Sequence, residues 1–422
     1  MVSQAEGETG AHDASKGSQD RVWPSLHPLI AIALFCALYL QRFGLQAPGG
    51  AFVSAGHVIV LLSCFALLMR RRVAIDLISL VLLSGFVAYA LLVSVAAATW
   101  PLKATEIAPQ SLFLLATLYA VLCFAPVRLD DTRDVLFVYN GHMLLFGILG
   151  IAQFALQFVG IRFFSFRGLV PEPLLIEHAY NVVIPLNYGS PYFKSNGVFF
   201  LEPSLFSQFS ALALAIELVL FRRLAFVAVF AGAILVSYSG SGVLTLAAAL
   251  TILSVMRPRY ALLLLALLAA GAVALTVLSQ IAPEVHAYYV RRALEFQDDG
   301  TSGYLRYVTP YLFLGEVWNG SKLFFGYGPG TAEKFQIGFD YNVNAFVKIA
   351  VEYGLIGAAV FFGFLFSATG RRGAGSFLMV LCFSWYFLGG GYHLTSCVVH
   401  VMAAFLVWSS WSPSNQATEV RL

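Results

Sequence analysis

Residues 260–280 read YALLLLALLAAGAVALTVLSQ, 21 positions without one charged side chain. About 20 apolar residues let a helix cross the hydrocarbon core of a bilayer. Lipid offers a bare backbone no hydrogen-bond partners, so such a run must be helical. Working outward, comparable runs fill the chain: Leu26–Leu40, Phe52–Met69, Leu77–Ala98, Ser111–Ala125, Val135–Val159, Gly197–Phe221, Leu224–Tyr238, Val243–Met256, Val343–Phe366, Gly375–Leu388 and Tyr392–Ser409. The chain is 59% hydrophobic and 11% charged, where soluble domains carry about 25% charge. The expected fold is an all-α polytopic membrane protein of about 12 transmembrane helices. Residues 1–25 read as a disordered tail, 26–410 as one helical membrane domain and 411–422 as a second tail.

Basic residues set the expected orientation. Short cytoplasmic loops collect Lys and Arg. An inside N-terminus places Arg70-Arg71-Arg72, Arg128 with Arg133, Arg222-Arg223, Arg257 with Arg259, and Arg371-Arg372 on one side. The opposite short loops hold Arg42 and Lys103. Both termini are then cytoplasmic, and two long loops, 160–196 and 281–341, lie on the far face. The second loop holds 12 of the chain's charged side chains, against 25 Lys+Arg and 22 Asp+Glu in all. The apolar-aromatic stretch Val308–Trp318 within it is expected to form a helix on the membrane surface.

The net charge of +3 gives no reason to expect a nucleic-acid partner. The five cysteines all lie in apolar runs and suggest neither a disulfide framework nor a zinc site. No Walker motif is present. No cofactor and no metal are expected. The acidic residues Glu295, Asp298 and Asp299 do not match a calcium loop, and a solvated turn is the plainer reading.

The polar residues of the outer loops are the candidate site. Arg291, Arg292 and Arg306 stand in the second loop; Arg167 and Lys194 stand in the first. Guanidinium groups donate paired hydrogen bonds and stay charged, which suits a pyrophosphate. Glu202 stands at the outer end of a span, followed by Pro203, which suits a first helical turn. A carboxylate there either faces a polar cavity or favours the helix start electrostatically. His178 is a second possible proton acceptor. The Gly-rich turn Phe325–Gly330 has amides suited to phosphate, but it lacks a Lys-Ser/Thr tail and reads more simply as a plain turn. Deeper in the membrane, Lys348 and Glu352 share a helix face and are expected to neutralise each other. Glu217 is expected to snorkel to the cytoplasmic end. His393 and His400 read as core histidines.

Gly326-Tyr-Gly-Pro-Gly, then Asn344-Ala-Phe346, then Val351-Glu-Tyr-Gly-Leu-Ile-Gly357, resembles the end of the O-antigen ligase/polymerase family. Lys194–Ser204 resembles that family's earlier basic segment, here in a Glu-Pro-Ser form. Ser302–Arg306 resembles its arginine stretch, and Ser239–Gly242 sits where members have a Ser-x-Ser-Arg turn. The resemblance covers roughly residues 190–360. It implies a glycosyltransferase of the bacterial inner membrane acting on glycans carried by undecaprenyl pyrophosphate at the periplasmic face. Ligases of the family are similar in having His where Val343 stands here, so the resemblance favours a polymerase joining repeat units, with inversion and without a metal. In that expectation Arg291, Arg292 and Arg306, with Lys194 and Arg167, hold the pyrophosphate. Glu202, or else His178, takes the acceptor's proton. Tyr304 and Asn344 are further substrate contacts. A flippase and a chain-length regulator are implied partners. Transfer to lipid A-core by a ligase, and transport of lipid-linked oligosaccharide by a flippase or secondary transporter, are the alternative functions. Polar residues gathered in loops rather than at the midplane disfavour transport.

Overall fold

The computed structural model describes residues 24–46, 52–99, 107–176, 180–186, 189–299, 301–370, 376–389 and 394–411. The described chain is mostly helical: α1 (Pro28–Tyr39), α2 (Ala55–Met69), α3 (Leu77–Thr99), α4 (Pro109–Ala120), α5 (Thr132–Ala155), α6 (Pro203–Ile216), α7 (Leu224–Val236), α8 (Gly240–Met256) and α9 (Arg259–Ile281). Four short helices follow, α10 (Pro283–Leu294), α11 (Ser302–Tyr307), α12 (Thr309–Val317) and α13 (Lys322–Phe325), and then α14 (Ala345–Gly370), α15 (Ser376–Leu388) and α16 (Ser396–Met402). Five are long and apolar enough to cross a membrane: α3, α5, α6 with its continuation to Phe221, α9 and α14. Seven shorter apolar helices occupy the other runs read from the sequence.

Three two-stranded ribbons, which the apolar pattern did not foretell, tie the helix ends together. Strand β1 (Gly44–Gln46) pairs antiparallel with β2 (Phe52–Ser54), and β3 (Val73–Ile75) with β4 (Phe124–Pro126). Strand β5 (Asp130–Asp131) runs parallel to β6 (Ser409–Ser410). At this second end, His27 N donates to Asp130 Oδ2 at 2.5 Å and Trp408 Nε1 to the Phe124 carbonyl at 2.7 Å. The arginine-rich turns at 70–72 and 128–133 therefore gather at one end. At the other end, Ile176 N reaches the Arg42 carbonyl at 3.0 Å, and Ala108 N reaches that of Pro329 at 2.8 Å. Both long loops belong to this end.

The helix α6 is the centre of the bundle. Every residue from Pro203 to Ile216 is buried, against α5, α7 and α8. The α6–α8 approach is backbone on backbone: a Cβ added to Gly242 would lie 2.3 Å from the Ser207 carbonyl oxygen. Only glycine permits that spacing. By contrast α9 is exposed along its apolar window, as an outermost helix bathed by lipid would be. Glu217 does not snorkel. It is 0% exposed, accepts a hydrogen bond from Asn140 Nδ2 at 2.8 Å, and forms an ion pair with Arg223. A π-helical turn, Glu217–Phe221, folds the chain back so that this arginine neutralises it. A buried carboxylate without that partner would be strongly destabilising.

The stretch expected as a surface helix is α12. One of its faces packs inward, with Phe313, Leu314 and Val317 buried against Val347 and Val351 of α14. Leu312 and Tyr311 remain exposed on the other. The helix α14 breaks at Gly354 (φ 66°, ψ −175°). The Gly-rich turn fits into that break. Tyr327 N donates to the Val351 carbonyl at 3.0 Å and Gly328 N to that of Glu352 at 2.8 Å. A Cβ on Gly326 would lie 2.4 Å from the Glu352 carbonyl oxygen, and one on Gly354 would lie 2.2 Å from that of Phe324. These two turn amides are spent on the break in α14, which favours the plain-turn reading.

Candidate functional site

Glu202 is the N-cap of α6, in extended backbone with Pro203 at the first helical position. Proline there loses no hydrogen bond, because that N–H has no partner within the helix. The carboxylate does not cap its own helix. Its Oε2 accepts from Ser204 Oγ at 2.7 Å and faces Arg306 Nη2 at 3.6 Å, while Oε1 accepts from Asn181 N at 3.3 Å. The start of α6 and the second long loop, 104 positions apart in sequence at these residues, thus meet in one ion pair, and the first long loop joins them through Asn181 N. The Glu202 side chain is 11% exposed and that of Arg306 28%. The pair stands at the edge of water, where attraction between charges is only partly screened.

The segment leading into Glu202 is built rigidly. Gln153 Oε1 accepts from Ser195 Oγ at 2.9 Å and from Asn196 N at 3.2 Å. Asn196 Nδ2 reaches back to the Val182 carbonyl at 3.1 Å. Gly197 and Val198 both take positive φ (63° and 71°), an uncommon conformation for a β-branched residue. Arg42, fully buried, holds that turn by donating from Nη1 to the Val198 carbonyl at 2.7 Å. Beside Glu202, the Tyr180 hydroxyl is buried and its pKa is pushed up to about 12, so it remains a neutral donor.

Arg306 opens on its other side into a cavity of about 290 Å³. The polar end carries Glu295, Ser302, Ser239 and Ser241. The Ser239 and Ser241 hydroxyls lie 2.9 Å apart, and Ser241 Oγ donates to the Ser204 carbonyl at 3.2 Å, which ties this end to Glu202's own turn. Tyr238, Tyr289, Phe296 and Tyr307 form the walls. The rim is apolar: Ile234 and Leu235 of α7, Val243 and Leu244 of α8. Leu235 and Val243 are each 54% exposed, so the cavity reaches the outer surface of two apolar helices, and its charged lining is Arg306 and Glu295.

The other expected site residues are placed differently. Arg291 lies exposed on α10 and does not line the cavity. The Arg292 side chain and the whole of His178 lie outside the described residues. Lys194 is buried, with its backbone N–H on the Ile184 carbonyl at 2.8 Å. Arg167 lines a second, shallower hollow with Arg162. The Tyr304 hydroxyl bonds the Asp299 carboxylate, which raises its pKa. Asn344 serves α14: its Oδ1 accepts from Val347 N at 2.8 Å, as helix N-caps do, and its Nδ2 donates to the Phe387 carbonyl at 3.0 Å. Lys348 is paired with Glu352 at 2.8 Å, as expected, and also with Glu333 of the outer loop at 2.8 Å. Glu295 was legible only as a solvated acidic residue, since its place on the cavity wall depends on how α10 and α11 pack. Compared with known proteins, the chain matches no family model and no curated protein.

Proposed function

We propose that the protein is a polysaccharide polymerase that joins lipid-linked repeat units at the outer face of the bacterial inner membrane. One observation carries the proposal: Arg306, backed by buried Glu202, forms the floor of a cavity whose rim is apolar and opens at the outer surface of α7 and α8. That arrangement suits undecaprenyl pyrophosphate carrying an oligosaccharide. In this reading the seven shorter apolar helices also cross, giving twelve spans with both termini cytoplasmic. A flippase and a chain-length regulator would act beside it.

The proposed step is an inverting displacement. An acceptor hydroxyl attacks the anomeric carbon of the donor. The new C–O bond forms as the bond to pyrophosphate breaks, and its electron pair leaves with the pyrophosphate. Arg306 stabilises the charge that develops there, in a site drier than water, where such stabilisation is strongest. The hydroxyl proton passes to a carboxylate. Glu295 lines the cavity and is the better placed acceptor. Glu202 is turned toward Arg306 and Ser204 and serves as the positioning carboxylate. Val343, where related ligases would carry His, is buried in an apolar cluster, and this favours polymer formation over ligation.

Purified protein in liposomes, supplied with lipid-linked repeat units from its native host, should make polymer. Arg306→Ala should abolish it, with single units accumulating on their carrier and protein levels in the membrane unchanged. Normal polymer from that variant would overturn the assignment.

A further inference from the structure

The cavity and the second hollow are joined by a line of aromatic rings. It starts in the cavity at Tyr289, which stacks on Tyr238 with centroids 5.9 Å apart. Tyr238 lies 5.4 Å from Phe154 at the outer end of α5, and Phe154 lies 5.3 Å from Phe158 one turn further on. Phe158 lies 4.7 Å from Tyr192, which lines the second hollow. That hollow encloses about 590 Å³ and carries Arg162, Arg167, Gln157 and Ser165. None of the five rings is buried, and Phe158 is 56% exposed.

We infer that this line is a saccharide track: it carries an extended glycan from the Arg306 cavity to the hollow at Arg162 and Arg167. The inference rests on the polymerase reading and adds where the chain lies. Sugar rings present C–H faces that pack on aromatic rings, and these rings, though they touch one another, each keep part of their surface exposed. Hydroxyl groups need donors and acceptors, and the hollow carries two guanidinium groups and the Ser165 hydroxyl; its Gln157 amide is held by the Phe193 main chain and the Gln153 carbonyl. Aromatic residues also gather at membrane interfaces as belts. A belt alone does not explain why these rings, drawn from α10, the α7–α8 turn, α5 and the first outer loop, touch in sequence and end at a polar hollow at each side.

The test is binding by the purified full-length protein, with soluble fragments of one to several repeat units released from the host's own polysaccharide. These carry no pyrophosphate, so their binding does not depend on Arg306 or on turnover. Affinity should rise with fragment length in the native protein and in Arg306→Ala alike. Phe158→Ala and Tyr192→Ala should each weaken the longer fragments about 5- to 10-fold, the worth of one lost aromatic contact. Phe158→Leu and Tyr192→Leu keep apolar bulk without the ring and should weaken them similarly, while Tyr192→Trp should retain binding. Equal affinity for short and long fragments, or leucine variants that bind like the native protein, would overturn the track and leave the Arg306 assignment standing on its own test.

Discussion

The Arg306–Glu202 pair sets a quantitative demand. At 3.6 Å, two unit charges attract by about 4–5 kcal/mol at an effective dielectric of about 20. Removing both groups from bulk water offsets much of that, and Glu202 is the more buried of the two. The coupling left for measurement is about 1–2 kcal/mol, within the range found for contacting residues. Arg306→Gln, Glu202→Gln and the double variant form the cycle, with unfolding free energies measured in mixed micelles. Glu202→Gln alone should be the milder single change, because its one carbonyl oxygen can still accept from Asn181 N and its Nε2 can donate to the Ser204 hydroxyl, which accepts as well as donates. Arg306→Gln leaves the carboxylate buried with its hydrogen bonds but without a cation, and should cost more. The double variant should be less destabilised than the sum of the two. Strictly additive losses would mean that the groups do not interact, and the reading of Glu202 as the residue that positions Arg306 would fall.

Gly354→Ala should cost about 3 kcal/mol or more, since φ 66° with ψ −175° is a conformation essentially confined to glycine and the added Cβ would meet the Phe324 carbonyl oxygen at 2.2 Å; the yield and unfolding midpoint of folded protein report it, and native-like stability would refute the packing of the Gly-rich turn. Lys348→Met should cost about 3–5 kcal/mol by stranding Glu352, which is 1% exposed, while Lys348→Met with Glu352→Gln should regain most of the loss; equal instability of the single and double variants would argue against the pair. Glu202→Gln should bind free pyrophosphate more tightly than the native protein, by about tenfold for each 1.4 kcal/mol of pairing released, seen as stronger inhibition of polymer formation; unchanged inhibition would show that Glu202 does not share Arg306 with the ligand.

The apolar runs were legible because lipid leaves a chain few options. Tyr260–Gln280 had to be a helix, and α9 is one, exposed as a lipid-facing helix must be. Pro203 at the first position of α6 followed from its missing N–H in the same direct way. The pairing of Glu202 with Arg306 was not legible, although both were singled out. No period links residues 104 apart, and only the tertiary packing brings them to 3.6 Å. Glu217 misled for a related reason: its closeness to the cytoplasmic end suggested a side chain reaching water, but a π-helical turn returns Arg223 to it. The Gly-rich turn was ambiguous because free amides suit phosphate as well as carbonyls, and only the break in α14 shows where two of them go. Arg291 and Tyr304 were read by residue type alone, which does not say which side of a helix faces a cavity.

Under the proposed function a single guanidinium serves the leaving pyrophosphate, and its setting decides how it does so. An arginine that held the bound diphosphate ester as strongly as the departing pyrophosphate would not speed the chemical step. Glu202 competes for the same guanidinium from behind, from a carboxylate fixed by Ser204 and by the main chain at Asn181. A bound diphosphate ester, with its charge partly tied up in the sugar bond, competes weakly against that carboxylate. The departing pyrophosphate, carrying a fuller charge on the oxygen released from the anomeric carbon, would compete strongly. Under the proposed function, the pair would turn growth of charge at one atom into a shift of Arg306 from Glu202 toward the ligand, and return of Arg306 to Glu202 would favour release. The rigid turn at 194–202, held by Gln153 and Arg42, has a physical purpose in this scheme: a carboxylate that could follow the guanidinium into the cavity would cancel the charge the reaction needs.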